Sequence, residues 1–270
     1  MQTIGLFFNQ KKKQCSDLAH KISAWLKKEG REVREISSDD QSHQFPQIEF
    51  IICVGGDGSL IRLASVLQDV IIPVLGVNAG SLGFLTNVKK EEVFEELACV
   101  LSGDYTTQDR FMLMAALKGK KAERFSILND IVVSREGSTR FLDVVVKVDK
   151  SIIANFGGDG VIISTPTGST AYSLSAGGPF LYPTLESVVI TPICPHSLKT
   201  RACVVPGDVT ITVEVCCERD NEHACAIFDG HEKRAVASGS TVTINKARHV
   251  FKLIHTTHRN YFDIVNEKLQ

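Results

Sequence analysis

The sequence predicts an α/β fold joined to an all-β one, an amino-terminal doubly wound α/β domain followed by a β-rich carboxyl-terminal domain. Two observations carry this. Through residue 104, short apolar runs alternate with segments whose apolar residues recur every three or four positions, the order of a parallel sheet with helices on its faces. Beyond it nearly every apolar segment is short, β-branched and bounded by Gly, Pro, Asp or Asn. The expected boundaries are 1–104 for the α/β domain, with 257–270 a candidate to rejoin it, and 105–256 for the β-rich domain.

Residues 4–8 read as the first strand, and Leu18, Ile22 and Leu26 as one face of a helix that Gly30 ends. An extended segment passes through Val33 and Ile36. Residues 50–54 form a continuous apolar strand, followed by the turn Gly55-Gly56-Asp57-Gly58 and a helix with Leu60, Leu63, Ala64 and Leu67 on one side. Residues 71–77 are the next strand. After the glycine-rich loop 78–84, a helix carries Val93, Leu97 and Leu101 until Gly103 and Asp104 stop it. In the second half, strands are expected at 112–117, 127–133, 142–148, 152–156, 161–163, 188–190, 209–215, 224–228, 242–244 and 251–254.

Composition narrows the function classes. A chain of 270 residues that is 43% hydrophobic can bury the cores of two modest domains. With 30 basic and 31 acidic residues, no overall field recruits nucleic acid or an anionic membrane, and Lys11-Lys12-Lys13 reads as a solvated loop. The opening residues lack a basic leader and read as a strand, and no run of about 18 apolar residues could cross a bilayer. Eight cysteines, at 15, 53, 99, 194, 203, 216, 217 and 225, show no C-x-x-C spacing, and several sit in strand patterns as reduced core thiols do. A cytoplasmic protein is expected.

Residues 159–179 are the most unusual stretch: an apolar strand opens into a run of Ser, Thr, Gly and Ala that cannot be core. Small side chains admit a ligand to the backbone, hydroxyls and N–H groups bond to it, and Tyr172 offers a flat face. The glycine turn at 55–58 sits between strand and helix, where backbone N–H groups hold phosphates. Asp57 places a negative charge there, so it either accepts a proton, sits near a divalent cation, or caps the helix near Ser59. Asn129 and Asp130 interrupt an apolar strand, so at least one needs a buried partner or a ligand unless a bulge or edge accounts for them. Asp159 taken alone is a turn acid, His196 a structural hydrogen-bonder and His231 a solvent-facing turn residue.

Together, Gly55-Gly56-Asp57-Gly58, Leu82-Gly83-Phe84, Asn129-Asp130, the stretch 165–172 with Ser175-Ala176-Gly177-Gly178-Pro179, and the loop 191–198 resemble the NAD kinase family over nearly the whole chain. The glycine turn alone is shared with diacylglycerol and sphingosine kinases; the long threonine and serine stretch is particular to NAD kinases. The resemblance implies transfer of the terminal phosphoryl group of ATP to the 2′-hydroxyl of the adenosine ribose of NAD, with Mg²⁺ as the divalent cation. It implies Asp57 as the residue that orients or deprotonates that hydroxyl, and Gly55, Gly56 and Gly58 at the phosphates. It also matches Phe84, Asn129 and Thr170 to the adenine of NAD and Asp130 to its ribose. Asp159, Ala171, Tyr172 and Ser175 match the nicotinamide end, with Ser173 in the same stretch, and Arg62 and Arg140 match basic positions near phosphate. No side chain is expected as a dedicated metal ligand, and a homodimer or homotetramer is implied. Two positions depart from the family pattern: Gly157 stands where members often carry a basic residue, and His231 where many have Gln.

Overall fold

The computed structural model describes residues 3–37, 45, 47–80, 83–117, 123–137, 141–197, 199–216, 223–256 and 261–269. The chain divides into two compact units, one formed by Met1–Arg110 with His249–Gln270 and the other by Phe111–Arg248.

The first unit opens with β1 (Thr3–Phe8), α1 (Lys13–Lys28), β2 (Glu32–Ile36), β3 (Ile48–Gly55), α2 (Asp57–Leu67), β4 (Val74–Asn78), β5 (Val88–Lys89), α3 (Val93–Ser102) and β6 (Thr106–Arg110). Every residue of β1 is buried, as in a parallel strand covered on both faces. The α1 face buries Cys15, Ala19, Ile22 and Leu26, and the helix ends where Gly30 turns into the left-handed region at φ 74°. The strand expected from residue 71 begins only at Val74, and Ile71 is 49% exposed. Pro73 supplies no N–H to a ladder, so pairing starts after it.

The second unit runs through β7 (Leu113–Leu117), β8 (Glu123–Ile127), β9 (Asp130–Glu136), β10 (Leu142–Val148), β11 (Ser151–Gly158), β12 (Gly160–Ser164), a 3₁₀ turn at Gly168–Thr170 and α4 (Tyr172–Ser175). It continues through β13 (Ser187–Ile193), β14 (Cys203–Pro206), β15 (Ile211–Cys216), β16 (His223–Phe228), β17 (Glu232–Val236) and β18 (Thr241–Lys246). Two six-stranded sheets result, ordered β11-β10-β15-β18-β7-β8 and β14-β13-β12-β9-β16-β17. They share one core, with Val144, Val146, Leu113 and Ala115 from the first and Val133, Val161, Ile163, Ile190 and Phe228 from the second. The single strand expected over 127–133 is two strands. The chain leaves one sheet at Ile127 and enters the other at Asp130, so Leu128 and Asn129 form a crossing.

The last strand, β19 (Phe251–His255), belongs to the first unit, not to the β-rich half in which its sequence was read, and α5 (Tyr261–Leu269) follows it. It lies between β4 and β6, parallel to the one and antiparallel to the other, in a sheet ordered β2-β1-β3-β4-β19-β6 with β5 on β4. Its β-branched, apolar character suits either half, so composition alone could not assign it. No helix among the described residues is long and apolar enough to cross a membrane.

Candidate active site

In the first unit, the turn after β3 delivers Asp57 as the first residue of α2, with Gly56 as the extended residue before it and no side-chain cap. The helix-capping account of Asp57 is therefore not what the structure displays. Its carboxylate turns instead to the loop after β4: Oδ1 accepts from Leu85 N (3.0 Å), Thr86 N (3.1 Å) and Thr86 Oγ1 (3.3 Å), and Oδ2 from Phe84 N (2.7 Å). An ionised carboxylate has about four acceptor sites, two on each oxygen. Oδ1 is saturated, while Oδ2 keeps room for one more donor.

Gly83 completes this arrangement, because a Cβ there would overlap the Asp57 carboxylate. Behind it, the buried Thr86 Oγ1 accepts from Asn78 Nδ2 (2.8 Å) and Gly83 N (3.2 Å), and Asn78 Oδ1 accepts from Gly80 N (2.6 Å). By contrast, a Cβ at Gly56 or Gly58 would meet nothing within 4 Å. Internal packing does not require those two glycines, and both lie exposed with open space beside their backbone. Arg62 lies one turn beyond Gly58 on the same face of α2. The Phe84 and Tyr261 rings stand 6.4 Å apart.

In the second unit, the Leu128–Asn129 crossing is held from both sides. Asp229, at the end of β16, accepts from Leu128 N (2.8 Å), Asn129 N (2.7 Å) and Asp130 N (3.1 Å). From the other side, Thr165 Oγ1 donates to Leu128 O (2.5 Å) and Thr165 N to Asn129 O (2.8 Å), and a Cβ at Gly168 would overlap the Asn129 backbone. Burial pushes the Asp130 carboxyl up to about 6. Burial likewise carries Asp229 up to about 7, against the pull of its amide bonds. His231 Nδ1 donates to Asp229 O (2.9 Å).

Asn129 Oδ1, Thr167 Oγ1 and His231 Nε2 are buried without a partner among the described residues, and each belongs to this region or the stretch beside it. Buried polar atoms are nearly always hydrogen-bonded, so such atoms are the ones a ligand would engage. The turn that follows presents Tyr172 47% exposed at the start of α4, with Ala171 before it and Ser175 exposed at its end. Thr170 Oγ1 donates to Thr167 O (3.2 Å). Ser173 differs from its neighbours: it is fully buried, bonded to Thr191 Oγ1 at 2.8 Å, and holds the turn from inside. Asp159 pairs with Arg135 at 2.7 Å, a more specific setting than a turn acid. Gly157 is half-buried on β11, and exposed His196 packs its ring against Phe141. Arg140, Ser81, Leu82, Leu198 and Cys217 lie outside the described residues; the seven described cysteines are free thiols.

Sequence reading missed Thr86, Asn78, Gly83 as a contact, Thr165 and Asp229. Asp229 carries a signal in its Asp-Gly pair, but on sequence alone that pair marks a hairpin turn and nothing more.

Two family models match the chain: the ATP-NAD kinase N-terminal domain over residues 35–105 and the ATP-NAD kinase C-terminal domain over 128–256. An NAD kinase from Syntrophotalea carbinolica is 37% identical across 100% of this chain and 98% of its own. One from Geotalea daltonii is 36% identical across 100% and 99%. Among solved structures, an NAD kinase from Archaeoglobus fulgidus in complex with ATP superposes with a TM-score of 0.81 at 25% identity, covering 99% of this chain and 98% of that one. Yeast NADH kinase complexed with NADH gives 0.90 at 21% identity, covering 100% and 87%, a likeness of fold.

Proposed function

The chain belongs to the NAD kinase family, and from that premise we infer how its own residues divide the work of making NADP. The enzyme transfers the terminal phosphoryl group of ATP to the 2′-hydroxyl of the adenosine ribose of NAD, giving NADP and ADP. A bond forms between O2′ and the γ-phosphorus, the bond from that phosphorus to the bridging oxygen breaks, and the hydroxyl proton must leave.

The observation that carries the assignment of roles is the half-used carboxylate of Asp57: Oδ2 has one remaining acceptor position, and its other bonds fix its direction. In this reading Oδ2 takes the hydrogen bond of the 2′-hydroxyl and accepts its proton as the new bond forms. Phosphoryl transfer depends mainly on positioning and charge neutralisation, so fixing the nucleophile is the larger part of the task. Gly55, Gly56 and Gly58 would approach the donor's phosphates, with Arg62 adding charge. Phe84, Asn129, Asp130 and Thr170 would hold the adenosine half, and Asp159, Ala171, Tyr172 and Ser175 the nicotinamide half, with His231 turned to a polar group of the substrate.

A divalent cation, Mg²⁺ by resemblance, would neutralise the triphosphate. No group of three or more His, Cys, Asp or Glu that could hold a metal exists among the described residues. Such a cation would be carried in by the phosphates and keep several waters, and the Asp57 carboxylate at the glycine turn would stand ready to interact with it. We extend the reading to a cytoplasmic homodimer or homotetramer; Ile152 and Ile153, 61% and 41% exposed on the edge strand β11, support self-association.

Acceptor selectivity tests the whole reading. The 2′-deoxy analogue of NAD should bind as a competitive inhibitor and take no phosphate. AMP should lose turnover as well as affinity, because binding energy at the nicotinamide end positions the reacting hydroxyl. Transfer of labelled phosphate to NAD, AMP and a diacylglycerol decides it: label in lipid, or in AMP as readily as in NAD, sinks the assignment. Tyr172→Ala should raise KM for NAD by about 5- to 20-fold with a smaller change in kcat, since a stacked ring binds ground and transition states alike. An unchanged NAD affinity on titration would remove Tyr172 from the pocket.

A further inference from the structure

We propose that Asp229 is a positioning residue for this reaction, its carboxylate fixing the crossing at Leu128, Asn129 and Asp130 in the conformation that presents Asn129 and Asp130 to the adenosine half of NAD. The proposal rests on the assignment of those two residues to NAD. At the crossing the chain passes from the end of β8 in one sheet to the start of β9 in the other, and it is there that Leu128, Asn129 and Asp130 turn their N–H groups to one carboxylate. Leu128 and Asp130 are buried, so without a partner their N–H groups would be costly. Asp229 itself is 8% exposed and takes all three, while its own N–H donates to Asp130 O (2.9 Å).

The turn that carries it is built for this reach. Asp229 stands at φ 50° and Gly230 at φ 69°, consecutive left-handed residues in the manner of a tight hairpin. An aspartate in such a turn usually bonds its own backbone. Here the carboxylate reaches to residues 99 to 101 positions earlier in the chain. With Thr165 holding the carbonyls of Leu128 and Asn129, the crossing has bonds to both its donors and its acceptors. The same turn fixes His231 through Asp229 O, so one short segment sets the directions of the unpartnered atoms Asn129 Oδ1 and His231 Nε2.

The test compares Asp229→Ala and Asp229→Asn with Asn129→Ala, reading KM for NAD, KM for ATP and the thermal midpoint. Asp229→Ala should raise KM for NAD about tenfold or more and leave KM for ATP within about threefold. Asp229→Asn should have a smaller effect, about three- to tenfold on KM for NAD, because an amide oxygen can keep the Asn129 and Asp130 bonds and loses only Leu128. The Asp229→Ala and Asn129→Ala double variant should lose less than the product of the two single losses, since the two share the Asn129 contact, while Asp130 still loses its positioning. Should Asp229→Ala not fold, Asp229→Asn decides: KM for NAD unchanged in it overturns the proposal. A lowered midpoint with equal losses for both substrates also overturns it, making Asp229 scaffold only. If Asn129→Ala leaves KM for NAD unchanged, the adenosine assignment fails instead.

Discussion

Asp57→Asn is expected to slow NADP formation by about 10²- to 10⁴-fold while NAD binding stays measurable, the loss typical of a missing general base. The hydrogen bonds say which way the new amide would face. Placed where Oδ1 was, the NH₂ group would confront Leu85 N, Thr86 N and Thr86 Oγ1; placed where Oδ2 was, it would confront Phe84 N alone. The second orientation therefore wins. It also turns the one free acceptor position into a donor, so the substitution removes proton acceptance at the atom assigned to the ribose hydroxyl. Single-turnover rates with NAD and a parallel NAD titration are the measurements, and a variant within about threefold of the parent would make Asp57 a loop anchor only.

Gly83→Ala should approach the same loss without touching the carboxylate's chemistry. A Cβ at this position would occupy the space of Asp57 Oδ1, and because the carboxylate oxygens it displaces are hydrogen-bonded to the amides of Phe84, Leu85 and Thr86, either the carboxylate or the loop 84–86 must move. Overpacking of this kind costs about 1–3 kcal/mol in stability. A displacement of about 1 Å at a reacting group costs about 10²-fold in rate. The expected result is a folded enzyme with a lowered thermal midpoint, turnover down by about 10²-fold, and NAD affinity nearly retained. Full activity together with a lowered midpoint would mean that the loop moves and Asp57 stays.

The glycine turn, the strand before it and the helix after it were legible because period and punctuation agreed over residues 50–67: β3, α2 and the buried Leu60, Leu63, Ala64 and Leu67 follow that pattern. The partner of Asp57 was not legible. Three of its four bonds come from backbone amides of Phe84, Leu85 and Thr86, and an amide has no residue type to announce it. The same holds for Asp229, whose partners are again N–H groups about a hundred positions away. Asn129 and Asp130 were recognised as a break in a strand, but periodicity over 127–133 cannot distinguish one interrupted strand from two strands in different sheets. The short strands β14 and β17 were missed for a related reason. Both are sheet edges, where exposed and charged positions blur the alternation that marks a strand.

The placement of β19 between β4 and β6 makes folding of the first unit wait on the far end of the chain. As the polypeptide leaves the ribosome, β1 to β4 emerge early and β5 soon pairs with Val77 and Asn78, yet the flank of β4 at Val74 stays open until β19 has been synthesised. An unpaired flank of that kind is an invitation to aggregate. The second unit shortens the search. Its first and last strands, β7 and β18, are antiparallel neighbours, with Leu113 opposite Lys246, and the strands they lead to, β6 and β19, are neighbours too, with Arg110 opposite Phe251. Once the inserted unit has folded, it delivers the two distant ends side by side, and most of the entropy of closing that long loop has already been spent inside the insert.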